Sequence, residues 1–262
     1  MTDKTVSLSE AAALVLAGST LALGGMTLYR RPLAFTRTLL RENSAARDLT
    51  LLCFTAGIES DMLVGAGRVR SVRSCYFGLE AFGLAPMFTQ AAGRGTINIV
   101  EESEASIAFG IRASLADVGF MPSRAWMGTD LPRLRPDVKK IKDPYSDEEL
   151  IAFPAIHCDV AVIHALRADR TGNAVIGGNP AMDPELALLA DTTLITTEEL
   201  VDKLDKADIP GPLVQAVALA PQGALPTSCH PLYWLDGEAI LDYTQRCRAG
   251  EFEQYLREAL AK

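Results

Sequence analysis

Basic residues are in deficit: Lys and Arg total 25 against 33 Asp and Glu, a formal charge of −8. Phosphate contacts need clustered Lys and Arg, so the balance argues against a nucleic-acid partner and offers no attraction to an anionic membrane surface. Paired cysteine motifs are missing. Cys53, Cys75, Cys158, Cys229 and Cys247 are odd in number and include no C-x-x-C, which argues for reduced cytosolic thiols rather than a disulfide framework. No long apolar run occurs. The stretch 11–23 is interrupted by Gly18, Ser19 and Thr20 and is too short to span a bilayer, and the N-terminus has no basic leader region. Cytoplasmic residence is the default expectation. Histidine is scarce, and neither His157 beside Cys158 nor Cys229 beside His230 has the i, i+4 or finger spacing of a metal site. No metal is expected.

What is present is apolar segments in regular succession. Of the 262 residues, 48% are hydrophobic, enough for one large core or two small ones. Ser7 and Glu10 form an S-x-x-E capping box that opens a helix, and Gly18 is expected to end it. Segments 20–23, 49–54, 72–77, 96–100, 159–164, 192–196 and 214–219 are rich in Val, Ile, Leu and Thr and apolar nearly throughout, as strands covered on both faces must be. Helical stretches at 33–41, 103–117 and 185–190 lie between several of them. The alternation predicts a single α/β domain over residues 1–262 with a mostly parallel, doubly wound sheet and right-handed crossovers. Segment 131–150 differs: ten of its twenty residues are charged and it contains Pro132, Pro136 and Pro144, which reads as a surface excursion. From about Glu251, the residues Phe252, Tyr255, Leu256, Ala259 and Leu260 form an amphipathic stripe that should pack on its own domain.

Gly24 and Gly25 follow the segment 20–23, and ligands of open α/β sheets bind at the carboxyl ends of strands. Glycines there let a ligand approach the backbone N–H groups, although a tight turn needs the same residues. Glu101, Glu102 and Glu104 follow the segment 96–100, with Ser103 placed to cap the next helix and Glu104 in its first turn. A helix start favours a carboxylate, and a carboxylate at a strand end is where a nucleophile or general base is useful. The segment Gly65-Ala66-Gly67-Arg68-Val69-Arg70 imitates a dinucleotide fingerprint but has Arg70 at the third glycine position and lacks the preceding strand. No nicotinamide cofactor is expected.

Six stretches in order resemble the A (alpha) subunits of family I coenzyme A transferases, nearest the glutaconate CoA-transferase type. They begin with Gly24-Gly25-Met26-Thr27-Leu28-Tyr29-Arg30-Arg31-Pro32 and Asp61-Met62-Leu63-Val64-Gly65-Ala66-Gly67. The third joins Glu101-Glu102-Ser103-Glu104 to Gly119-Phe120-Met121-Pro122-Ser123-Arg124 and Gly128-Thr129-Asp130. The fourth carries Phe153-Pro154-Ala155-Ile156-His157-Cys158-Asp159, then His164 to Asp169 and Gly172-Asn173. Thr197-Glu198-Glu199-Leu200-Val201 follows, then Ala220-Pro221-Gln222-Gly223-Ala224-Leu225-Pro226 with Tyr233 and Asp236.

The resemblance implies an interleaved α/β fold, partnership with a homologous B subunit, and transfer of CoA between an acyl-CoA thioester and a small carboxylic acid. Coenzyme A enters as part of the substrate, with no tightly bound cofactor. The family's nucleophilic glutamate belongs to the B subunit, beside a glycine turn; here Glu80-Ala81-Phe82-Gly83 is the nearest counterpart and its spacing is wrong. This chain would instead line the acyl pocket, with Gly24, Gly25, Arg31, Glu101 and Ser103 meeting substrate. Lys139, Lys140 and Lys142 could meet CoA phosphates, although such a cluster is ordinarily a solvated loop. Some family members are hydrolases that open a ring in steroid-derived acyl-CoA thioesters with a glutamate of the A subunit. Glu104 is the matching position, although Ser103 stands where that pattern has an acid. A third class, a ligand-sensing module of related fold, would normally carry a DNA-binding segment, for which the first 20 residues leave no room.

Overall fold

The computed structural model describes residues 2–261. Strand β1 (Thr5–Val6) leads into α1 (Leu8–Ala13), which Ser7 and Glu10 open through the reciprocal capping box. The helix ends five residues before Gly18, whose φ of 78° turns the chain into β2 (Thr20–Leu23). Next come α2 (Leu33–Glu42), β3 (Leu49–Ala56), α3 (Ile58–Gly65), β4 (Val69–Phe77), α4 (Pro86–Arg94), β5 (Asn98–Glu101) and α5 (Glu104–Leu115). The middle of the chain forms β6 (Phe120–Ser123), the short α6 (Leu131–Leu134), β7 (Lys139–Lys142) and β8 (Glu149–Pro154). The remainder is β9 (Val160–Asp169), β10 (Ala174–Val175), α7 (Asp183–Leu189), β11 (Thr192–Val201), β12 (Ala216–Leu219), α8 (Gly237–Arg248) and α9 (Phe252–Leu260).

The main sheet runs β1-β12-β11-β9-β2-β3-β4-β5, and every pairing on that path is parallel; β10 adds to β9 antiparallel. Alternation along the strands divides the core in two, as the pleat requires. Leu21, Leu23, Leu49, Leu51 and Cys53 join the core beneath α1, α2, α3, α8 and α9. Ala22, Leu52 and Ala161 face the other way, onto Ile107 and Ile111 of α5 and Leu186 of α7. The strand order reverses between β2 and β9, so that pair is the topological switch point. Phe252 is buried in the first core, with Tyr255, Leu256 and Leu260 packed against it, so the last helix docks on its own domain.

Segment 131–150 is more than a surface excursion. It contributes α6, β7 and the start of β8 to a separate antiparallel sheet ordered β6-β8-β7. Trp126, Val138, Ile151 and Phe153 give that sheet its own small core, and Arg135 is only 5% exposed. Its prolines stand at α6 and in the turns while its lysines line the edge strand β7, so polar composition conceals an ordered insert.

Candidate active site

Because β2 to β5 are all parallel, their carboxyl ends share one edge. Cys53, Ser74 and Glu101 stand in register across β3, β4 and β5, with Leu23 one residue beyond the Ala22–Leu52 pair. Gly24–Gly25 and Glu102–Ser103 therefore leave the sheet at the same height, three strand positions apart, roughly 14 Å.

The Gly24–Gly25 turn is closed by its own protein. Gly24 N–H donates to Val162 O at 2.9 Å, and Gly25 N–H donates to the Asp183 carboxylate at 2.9 and 3.2 Å. Both donors are used, so these N–H groups are not offered to a ligand as the sequence reading expects: they fasten β2 to β9 and α7. Glycine is required for packing. A Cβ at Gly24 would stand 2.8 Å from Asp183 Oδ1, and one at Gly25, where φ is 84°, would stand 2.5 Å from Tyr29 O.

Arg30 and Arg31 are both 0% exposed. Arg30 pairs with Asp183 at 2.9 Å and donates to His164 O and Asn179 O at 2.7 and 2.9 Å. Arg31 pairs with Glu59 of α3 and donates to Gly25 O at 2.9 Å. The expectation that Arg31 meets substrate is corrected for the same reason: its guanidinium is fully enclosed and spent on a turn and a helix. A buried pair of this kind persists because either charge alone would be far more costly there.

Across β9 and β11, three of the resembling stretches converge. His164 Nδ1 lies 2.8 Å from Thr196 Oγ1 and its Nε2 lies 2.7 Å from Glu198 Oε1. Burial holds His164 below the ordinary imidazole range against the upward pull of Glu198, and both ring nitrogens are engaged. Glu198 also accepts from the Tyr233 hydroxyl and from the N–H groups of Gln222 and Gly223. Cys229 stands beside it with a thiol that burial and then Glu198 push up to about 12. His164, Glu198 and Cys229 present ligand atoms within 4.8 Å of one another. With four donors already on Glu198, the cluster reads as a closed hydrogen-bond network that pins the 220–226 turn.

The β5 side is different. Ser103 caps α5, its hydroxyl accepting from Ser106 N–H at 3.3 Å and from Trp126 Nε1 at 2.7 Å. Glu102 turns inward and pairs with Arg73 at 2.6 Å and Arg135 at 2.8 Å. Glu101 and Glu104 are exposed, so Glu102 is the buried member of the three. Among the described residues, the Glu104 carboxylate makes no hydrogen bond or ion pair. Cys75 lies close enough to feel it: burial, then the charge of Glu104, raises that thiol to about 11. Lys140 and Lys142 pair with Glu149 and Asp147 on the exposed edge of the small sheet.

A family model described as coenzyme A transferase matches residues 5–220. The chain is 33% identical to the A subunit of a 3-oxoadipate CoA-transferase of Pseudomonas knackmussii, over 84% of this chain and 79% of that one. The chain belongs to the coenzyme A transferase family. It is 31% identical to the A subunit of the glutaconate CoA-transferase of Acidaminococcus fermentans, over 98% of this chain and 87% of that one, and the solved structure of that transferase aligns with a TM-score of 0.89. The decarboxylase AibA/AibB aligns with a TM-score of 0.92 at 30% identity, covering 100% of both chains. The IpdA subunit of the cholesterol ring-cleaving hydrolase of Mycobacterium tuberculosis is 30% identical over 94% of this chain and 88% of that one. The chain spans 60% of the length of a 34% identical uncharacterized protein of Archaeoglobus fulgidus. The relatives this chain resembles are thus named for transfer, hydrolysis and decarboxylation.

Sequence reasoning singles out Glu104, Glu101 and Ser103 and does not find Arg135, Trp126 or Cys75 beside them. The one signal is the arginine-bearing segment 131–150, whose partners, Glu101 at the end of β5 and Glu102 after it, lie more than thirty residues away in sequence.

Proposed function

We propose that this chain is the A subunit of a two-subunit CoA transferase that moves CoA between an acyl-CoA thioester and a carboxylic acid. The observation that supports it best is resemblance along nearly the whole chain to proteins named as CoA-transferase A subunits. The B subunit supplies a glutamate that attacks the donor thioester, giving an acyl-glutamyl anhydride and free CoA thiolate. The thiolate returns to form a glutamyl-CoA thioester and releases the donor acid, and the acceptor carboxylate then takes CoA by the reverse steps. This chain contributes the open β4–β5 end of the edge, with Glu104 facing the acyl group beside Glu101 and Ser103.

A second reading rests on one feature: Glu104 is exposed and unpaired at the start of α5, free to act as a base. On that reading the pair hydrolyses a cyclic acyl-CoA, as the named function of the mycobacterial relative suggests. Co-expression with the B subunit, followed by assay on a panel of CoA thioesters, separates the two. Turnover that requires an added carboxylic acid supports transfer, and acceptor-independent ring opening supports hydrolysis. The isolated chain should show no transfer. Ping-pong turnover without a B subunit would place the nucleophile in this chain and refute the first reading.

A further inference from the structure

We propose that Arg135 is a positioning residue for Glu104, acting through the turn that connects β5 to α5; the proposal rests on Glu104 being the working carboxylate. Three consecutive residues of that turn are each held by the insert between α5 and β9. Arg135 Nη1 donates to Glu101 O at 2.8 Å and pairs with Glu102 Oε1 at 2.8 Å. Trp126 Nε1 donates to Ser103 Oγ at 2.7 Å. Glu104 is the next residue and the first of the helix.

The holding groups are themselves fixed. The remaining nitrogens of Arg135 engage Asp137, Nε to Oδ1 at 2.8 Å and Nη2 to Oδ2 at 2.7 Å, which sets the plane of the guanidinium. Trp126 packs edge-on against Phe153 with ring centroids 5.1 Å apart. Arg73 reaches Glu102 from β4 at 2.6 Å, so the carboxylate joins the main sheet to the insert.

Stability alone accounts poorly for this arrangement. Arg135 is almost the only buried charge in a run of ten charged residues, and its partner Glu102 keeps Oε2 enclosed without a hydrogen bond. Buried ion pairs are weak sources of stability, and their better-supported use is to specify geometry. What this one specifies is the direction in which the chain enters α5, and therefore where the Glu104 carboxylate points. A carboxylate displaced by an ångström or so from a reacting group loses much of its effect.

The test uses the complex co-expressed with its B subunit, supplied with an acyl-CoA thioester that it turns over. Arg135→Lys keeps the charge and removes the planar fork. We expect kcat to fall about tenfold, with KM changed less than about twofold, because the substrate contacts are untouched. Glu104→Gln should be slower still, and the double variant Arg135→Lys/Glu104→Gln should be no slower than Glu104→Gln alone. Multiplying effects in the double variant would overturn the positioning role, as would a lowered melting temperature with kcat unchanged per assembled complex. Arg135→Ala is the more severe probe, and the lysine variant keeps the test decisive where the alanine variant fails to assemble. A wild-type rate for Glu104→Gln overturns the reading of Glu104 and the positioning role with it; a slow Glu104→Gln beside a wild-type Arg135→Lys overturns the positioning role alone.

Discussion

The carboxyl edge of the sheet has two unlike halves. At the β2–β9 switch point, where open α/β sheets ordinarily leave a crevice for ligands, the space is filled by protein. Arg30 pairs with Asp183, Arg31 pairs with Glu59, and both glycine N–H groups are taken. At β4–β5, three strands away, the inward carboxylate is neutralised by Arg73 and Arg135 while Glu104 is left exposed. The first half spends its charges on holding the turn after β2 to α3 and α7. The second half holds a turn rigid and leaves the Glu101 and Glu104 carboxylates exposed. On the proposed function the chemistry falls to Glu104.

The sharpest way to break this comparison is to remove one charge from each half. Glu59→Gln leaves the Arg31 guanidinium buried without its counter-charge, and should cost about 3–5 kcal/mol in urea unfolding of the folded chain. Retention of near-native stability would mean that Arg31 has room to reach water, and would reopen a substrate role for it. Glu104→Gln should lose little stability, because the residue is exposed and Gln conserves its shape. Turnover of the assembled complex should instead fall about a hundredfold, the scale of a positioned acid or base. A helix-start stabiliser alone would show the opposite pattern, with roughly 0.3–1 kcal/mol lost from stability and turnover intact.

The smallest effect concerns Asp61, a second buried carboxylate on α3. It accepts from Phe88 N–H at 2.6 Å, Met87 N–H at 3.2 Å and the Tyr243 hydroxyl at 2.6 Å, tying α3 to α4 and α8. Burial raises its pKa to about 6 even against those donors. With the folded value above the unfolded one near 3.9, the proton is bound more tightly in the folded state. Its stabilising contribution is complete below pH ~4 and lost as pH rises through ~6, a change of about 2–3 kcal/mol. Asp61→Asn should remove that part of the pH dependence of denaturant stability; an unchanged profile between those limits would show that Asp61 titrates normally.

The alternating strands were legible because burial on both faces leaves continuous apolar runs, and the caps were legible because Ser7 and Ser103 act within three residues of themselves. The buried charges were not. Arg31 looks like a ligand-binding group until Glu59 is brought to it, and only the tertiary fold does that. The insert was hidden for a related reason. β7 is the edge segment Lys139–Lys142, and its lysines face solvent while its backbone pairs with β8. Glu104 could be singled out because its position depends on a local helix start, whereas the groups that hold its turn come from beyond α5.

The order of the strands also says something about synthesis. β2 lies between β3, made soon after it, and β9, made some 140 residues later, so a nascent chain presents β2 as an open edge until β9 emerges. β1 waits longer still: Thr5 and Val6 pair with Val217 and Ala218, near the end of the chain. β1 is therefore paired only after β12 has been made, and a chain stopped before residue 160 carries an unpaired strand edge that invites association with other chains.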